Sequence, residues 1–187
     1  MDKNEIRKIK LNERKNLNVD YFLESNWEIT KKTIDFIKEN NFKHIGIYLA
    51  NQFEVQTTEI IEWCFLNKIF VYVPFVINKN EMKMVWINRD SKYILNRFKI
   101  KEPLNPIQTN LNQIECIFCP LVAFDLNLNR LGMGGGYYDF FFHANKENYL
   151  KIGLAFESQK LNEEIVFESH DIALDLIITE KNIYIKK

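Results

Sequence analysis

The chain has 187 residues, 47% hydrophobic and 27% charged, enough for one domain with a core that needs no covalent staples. Its 25 basic and 25 acidic residues cancel, which removes any bulk electrostatic case for binding nucleic acid or a membrane. The 3 scattered cysteines exclude a disulfide framework, the charged start at 1–15 does not read as a secretory signal, and no stretch has the apolar length to span a bilayer, so a cytoplasmic protein is expected.

The spacing predicts a first helix from Lys3 to Leu17, with Ile6 and Ile9 as its apolar stripe inside a basic surround of Lys3, Arg7, Lys8, Lys10, Arg14 and Lys15. A second helix is expected from Asp20 to Asn40, burying Phe22, Leu23, Trp27, Ile34 and Ile37 and stopping at Asn40-Asn41. The run from His44 to Leu49 is short and apolar, a buried strand. Thr57 or Thr58 caps a helix reaching Asn67, with Glu59 near its positive end. Ile69 to Val76 is a strand ended by Pro74 and the turn at 78–80, and Met82 to Ile87 is another. Residues 90–113, polar and carrying Pro103 and Pro106, read as a long loop. Ile114 to Phe118 is a strand, a glycine-rich loop follows, and a short helix starts at Tyr137. The last strands are Tyr149 to Phe156, Leu174 to Thr179 and Ile183 to Ile185, the final two joined by Glu180-Lys181-Asn182. Strands alternating with helices imply an α/β domain with a mainly parallel sheet, and no repeat or linker divides 1–187.

Four of the 6 glycines fall in Gly132-Met133-Gly134-Gly135-Gly136. A glycine run between a strand and a helix lets the backbone approach a ligand closely and lines up N–H groups as an anion cradle at the helix start. Arg130, just before it, can add a bidentate fork for phosphate. Gly135 is expected to be the position that needs positive φ. The loop is neither a Walker A loop, since no Gly-Lys-Ser/Thr follows, nor a clean dinucleotide fingerprint. Cys116-x-x-Cys119 lacks a second Cys pair or spaced His for zinc, and on a strand its two residues point to opposite faces.

The run Pro120-Leu121-Val122-Ala123-Phe124-Asp125, then Arg130-Leu131-Gly132 and Gly134-Gly135-Gly136-Tyr137-Tyr138-Asp139, resembles the signature of the 5-formyltetrahydrofolate cyclo-ligase family. Lys3-x-x-Ile6-Arg7, Tyr48 with Glu54-Val55-x-Thr57, Glu102-Pro103, the segment from Ile152 to Gln159, and His170-Asp171-x-x-Leu174-Asp175 match in order, so the resemblance covers nearly the whole chain. It implies ATP-dependent conversion of 5-formyltetrahydrofolate to 5,10-methenyltetrahydrofolate with magnesium. It also implies a single three-layer α/β/α domain like that of several sugar-phosphate isomerases. Reduced folate and ATP would be the only partners of a monomer that binds neither nucleic acid nor membrane.

The same resemblance implies residue roles. Lys3 and Arg7, four apart on one helix face, would meet ATP phosphates, together with Arg130, Leu131, Gly132, Met133, Gly134, Gly135, Gly136, Tyr137 and Tyr138. Leu49, Glu54 and the loop from Met133 to Tyr137 would face the folate, with Tyr48 and Trp86 as possible ring-stacking partners. Asp139 and Asp171 would hold magnesium, with Asp175 a nearby rival; no single catalytic residue is implied. Two positions depart from the pattern. Leu128 stands where members usually place glycine, so Asn127 or Asn129 is expected to supply the turn geometry, and Phe140 stands where arginine is common. These departures are the support for an alternative, a module that binds folate or nucleotide without turnover.

Overall fold

The computed structural model describes residues 1–79, 81–96, 101–108, 111–145 and 149–186. The elements in order are α1 (Lys3–Lys15), α2 (Val19–Glu39), β1 (His44–Ile47), α3 (Thr58–Leu66), β2 (Phe70–Asn78), β3 (Glu81–Ile87), β4 (Tyr93–Leu95), β5 (Lys101–Pro103), β6 (Ile107–Gln108), β7 (Cys116–Pro120), β8 (Ala123–Phe124), β9 (Arg130–Leu131), α4 (Tyr137–Ala144), β10 (Leu150–Leu154), β11 (Leu176–Ile178) and β12 (Ile183–Ile185). Short 3-10 turns lie at Leu111–Gln113 and Glu157–Gln159.

An 8-stranded sheet, ordered β12-β11-β10-β7-β1-β2-β3-β6, forms the frame. Its centre, β11 through β2, is parallel; β12 at one edge and β3 with β6 at the other are antiparallel. The period of two along each strand sorts side chains between two cores. Ile45, Ile47, Val71, Val73, Cys116 and Phe118 face one way, beneath Ile29 and Ile37 of α2 and Ile60 and Cys64 of α3. Tyr72, Ile117, Cys119 and Ile177 face the other way, beneath Phe141 and Phe142 of α4 and the segment holding Leu121, Phe124 and Leu128. These are the three layers. Cys116 and Cys119 do point to opposite faces, and both are free and buried. Burial pushes the Cys119 thiol up to about 11, the range of an inert core residue.

Several boundaries differ from expectation for identifiable reasons. On α2, Leu23 and Trp27 are exposed while Ser25, Asn26, Thr30 and Thr33 are buried. The polar residues tolerate burial because they are bonded: Thr33 donates to Ile29 O at 2.7 Å, and Asn26 donates to Phe22 O and accepts from Gln56 N–H at 2.7 Å. Ile9 of α1 is likewise exposed, leaving Ile6 as the buried apolar anchor. Pro74 lies inside β2, not at its end. The last β1 partner is Tyr72, so Pro74 sits where that flank is open and a missing N–H is tolerated. Thr57 occupies the N-cap position of α3 without a capping bond; its hydroxyl donates instead to Tyr48 O at 2.7 Å and ties the helix start to the end of β1. Within 90–113 the chain is not one loop. β4 pairs with β5, and β6 extends the main sheet; 97–100 and 109–110 lie outside the described residues.

Past the ends of β10 and β11, Glu157 accepts hydrogen bonds from Tyr184 Oη (2.6 Å), Thr179 Oγ1 (2.7 Å) and Lys160 Nζ (2.9 Å). Burial alone would raise its carboxyl, but the bonds from Tyr184, Lys160 and Thr179 outweigh burial and hold it at about 2. A depressed folded-state pKa contributes stability above the unfolded value of about 4.3 that is lost as pH falls through the folded value. The stability difference between the protein and its Glu157→Gln variant is therefore expected to be constant near neutrality and to shrink between about pH 4.5 and pH 2. Urea unfolding at stepped pH measures it, and a difference independent of pH over that window would refute the assignment.

Candidate active site

The site collects at the carboxyl ends of the parallel strands, where an open α/β sheet leaves its crevice. The segment after β7 turns back through the β8–β9 hairpin, with Val122 N–H donating to Leu131 O at 2.7 Å. Asp125, 1% exposed, holds the hairpin's turn: its carboxylate accepts from the N–H groups of Asn127 (2.9 Å), Asn129 (3.0 Å) and Ile165 (2.8 Å) and from Asn129 Nδ2. The turn's left-handed residue is Leu128 itself, at φ 63° and 1% exposed, not Asn127 or Asn129. The backbone conformation that a glycine would favour is thus adopted despite a side chain, because that side chain is anchored in the core.

The hairpin delivers Arg130 and the glycine loop. Positive φ falls at Gly134 (97°) and Gly136 (67°), the latter the N-cap of α4, and not at Gly135. Gly135 is constrained by space: a Cβ there would stand 2.9 Å from the Tyr137 ring. Met133, Gly134 and Gly135 are exposed. Phe140 is exposed and lays its ring against Gly136, while Phe141 and Phe142 are buried. Beside it a groove of about 320 Å³ runs between β3 and α4, lined by Met82, Met84, Leu111, Phe140 and Phe141.

Charge is brought to the loop from both ends of the chain. Arg7 Nε donates to Gly132 O at 2.9 Å, and its guanidinium lies over Gly134. Lys3 Nζ pairs with Asp171 at 2.6 Å and Glu168 at 3.3 Å. Arg130, with a side chain 3% exposed, pairs with Asp139 Oδ1 at 2.7 Å, and the same oxygen accepts from Ile172 N–H at 3.1 Å. Burial would raise the Asp171 carboxyl, but the Lys3 bond and the Glu168 N–H contact outweigh it and hold it below the usual range. Asp139 Oδ2 and Asp171 Oδ1 take no part in these bonds, and two such hard carboxylate oxygens are a donor set that fits magnesium carried with phosphate. Asp175 is engaged elsewhere, with Lys151 Nζ and N–H, both at 2.8 Å. His170 is exposed, 3.8 Å from Asp171.

Glu54 and Leu49 sit apart from these charges, in the segment following β1. Glu54 is 8% exposed and accepts from Asn51 N–H at 2.9 Å. Burial raises its carboxyl, and the Asn51 contact and the charge of Arg14 pull it back. Leu49 is half-buried against the core. Tyr48 is core, its hydroxyl donating to Val55 O at 2.9 Å, so it offers no face for stacking. Trp86 is half-buried in β3. Sequence reasoning passed over Arg14, which is 6% exposed. The signal was its spacing: seven residues from Arg7 is two helical turns, hence the same face.

The chain is similar to known proteins over nearly its whole length. Residues 1–180 match the model of the 5-formyltetrahydrofolate cyclo-ligase family. A 5-formyltetrahydrofolate cyclo-ligase of Haemophilus influenzae is 31% identical over 180 residues, 93% of this chain and 94% of that protein. One of Mycoplasma genitalium is 31% identical over 95% of this chain and 98% of the relative. Among solved structures, the 5,10-methenyltetrahydrofolate synthetase of Aquifex aeolicus superposes with a TM-score of 0.85 at 28% identity, covering 99% of this chain and 93% of that one. The Mycoplasma pneumoniae enzyme of the same name gives 0.77 at 28% identity, covering 96% and 99%.

Proposed function

Because the chain belongs to the 5-formyltetrahydrofolate cyclo-ligase family, we propose that it performs that family's reaction: ATP-dependent closure of 5-formyltetrahydrofolate to 5,10-methenyltetrahydrofolate, with ADP and phosphate released. The observation that carries the reading is the meeting of Lys3, Arg7, Arg130, Asp139 and Asp171 around one exposed glycine loop, through contacts of 2.6 to 3.1 Å.

The chemistry asks for that arrangement. A formamide oxygen is a poor leaving group; transfer of the γ-phosphoryl group to it makes it a good one. The neighbouring folate nitrogen then attacks the formyl carbon, and phosphate departs with the oxygen. Such a transfer needs positioning and charge neutralisation more than a protein nucleophile. In our reading Lys3, Arg7 and Arg130 meet the phosphates, and the N–H groups from Leu131 to Tyr138 cradle them at the start of α4. Glu54 and Leu49 face the folate, with the loop from Met133 to Tyr137 shared between the two substrates. Asp139 and Asp171 would hold magnesium, which supplies charge neutralisation at the phosphates. The protein is proposed to act as a single domain over 1–187, a cytoplasmic monomer; among the described residues no helix is long and apolar enough to cross a membrane.

The test is appearance of methenyl absorbance from 5-formyltetrahydrofolate, ATP and magnesium, beside an Asp139→Asn control. A signal that requires ATP and disappears in the control is expected. A folded protein that binds folate and releases no ADP would instead establish the non-catalytic module. Of the two departures behind that reading, Leu128 speaks against it by adopting the left-handed backbone a glycine would favour, and Phe140, exposed where arginine is common, is the one that remains.

A further inference from the structure

Beneath the glycine loop lies a buried polar cluster that the phosphate chemistry does not use. Arg14 is 6% exposed, yet among the described residues its one hydrogen bond is from Nη1 to Leu121 O at 3.2 Å, and its Nε is buried without a partner there. A guanidinium carries five donors, and a buried donor left unmade costs stability, so natural interiors seldom leave one. The Tyr138 hydroxyl is also buried without a partner. Cys119, Glu54 and Arg130 lie within its electrostatic reach. The carboxylate whose field Arg14 feels is that of Glu54, itself 8% exposed. Among the described residues Arg14 and Glu54 form no ion pair within 4.0 Å.

A buried cation and a buried anion serving stability alone would close on one another, because each is costly unpaired. Here they are held apart. Arg14 is fixed by α1, whose Asp2–Glu5 capping box and Ile6 anchor set its position. Glu54 is fixed by Asn51 N–H and by the tie between Thr57 and the end of β1. What remains is a donor at Arg14 Nε and a donor–acceptor at Tyr138 Oη, both buried without a partner, with the buried Glu54 carboxyl within electrostatic reach of each. Groups left unsatisfied in a preorganised, low-dielectric setting are how a site rejects ligands that lack matching polar atoms.

We propose that Arg14 and the Tyr138 hydroxyl are folate-binding groups, which together with Glu54 take the polar atoms of the pterin and formyl end of the substrate. This assigns Arg14 a role distinct from that of Lys3 and Arg7 on the same helix face, and it moves the Tyr138 side chain from the nucleotide side to the folate side. It also gives α1 two functions: its first two turns serve the phosphates, and its last turn serves the folate.

The inference rests on the cyclo-ligase reading, and the experiment separates the two. Binding of 5-formyltetrahydrofolate without nucleotide, and of a non-hydrolysable ATP analogue without folate, is measured by calorimetry for the full chain and for Arg14→Met, Arg14→Lys and Tyr138→Phe. Arg14→Met and Tyr138→Phe are each expected to weaken folate binding about tenfold or more, to raise KM for folate and to leave analogue binding within about twofold. Arg14→Lys, which restores the charge but not the fork, is expected to fall between. Should Arg14→Met fail to fold, Tyr138→Phe removes one oxygen from an otherwise retained ring and carries the test. Folded variants that bind folate as the unaltered chain does would overturn the assignment while leaving the reaction standing. An unaltered chain that binds no folate would overturn both.

Discussion

Arg130→Met is expected to abolish turnover and also to lower stability by about 3–5 kcal/mol, the usual cost of stripping one partner from a buried pair. The stability loss follows because the side chain is 3% exposed and pairs with Asp139, and its guanidinium also lies over Tyr138 and Phe142 at 5.8 and 5.7 Å. Removing both charges, as Arg130→Met with Asp139→Leu, should restore most of the stability and none of the activity, since no unpaired carboxylate is then left inside. Chemical denaturation of the two single variants and the double variant reads this directly. A double variant no more stable than Arg130→Met would show that stacking, not ion pairing, holds the loop.

Leu128→Gly sets two opposing effects against each other. Restoring glycine relieves a left-handed conformation that costs a non-glycine residue about 1–2 kcal/mol. It also deletes a side chain 1% exposed in the second core. Truncating such a residue costs about 2–5 kcal/mol, and glycine adds about 0.5–1 kcal/mol of backbone entropy. Packing should win, leaving the variant about 0.5–5 kcal/mol less stable by urea unfolding, with the activity of the folded fraction little changed. A variant more stable than the parent would mean that strain, not packing, governs the turn.

The parallel centre of the sheet was legible because its strands are apolar runs buried on both faces, as at Ile45, Val71 and Ile117. The glycine loop was legible because few structural reasons place four glycines between a strand and a helix. The outer face of α2 was misread for the converse reason. Hydrophobicity alone does not reveal that Asn26 and Thr33 can be satisfied locally, nor that Leu23 and Trp27 then turn outward. β4, β5, β6, β8 and β9 are two or three residues long, too short for a period of two to register. Arg14 is set apart from the other five basic residues of its helix only by its spacing from Arg7, and its burial shows only in the structure. Nor does the sequence show that the Tyr138 hydroxyl is buried.

The bond between Lys3 and Asp171 also has a history in time. The two residues are 168 positions apart. A ribosome adding about 5–20 residues per second needs roughly 10–30 s after Lys3 emerges before Asp171 exists to meet it. Through that interval α1 and its cations have no acidic segment to dock against, although α2, β1, α3 and β2 can already assemble. The contact between Lys3 and Asp171 is therefore among the last parts of the proposed site to be completed, and a chain interrupted before Asp171 would carry most of its sheet and its glycine loop without that pair.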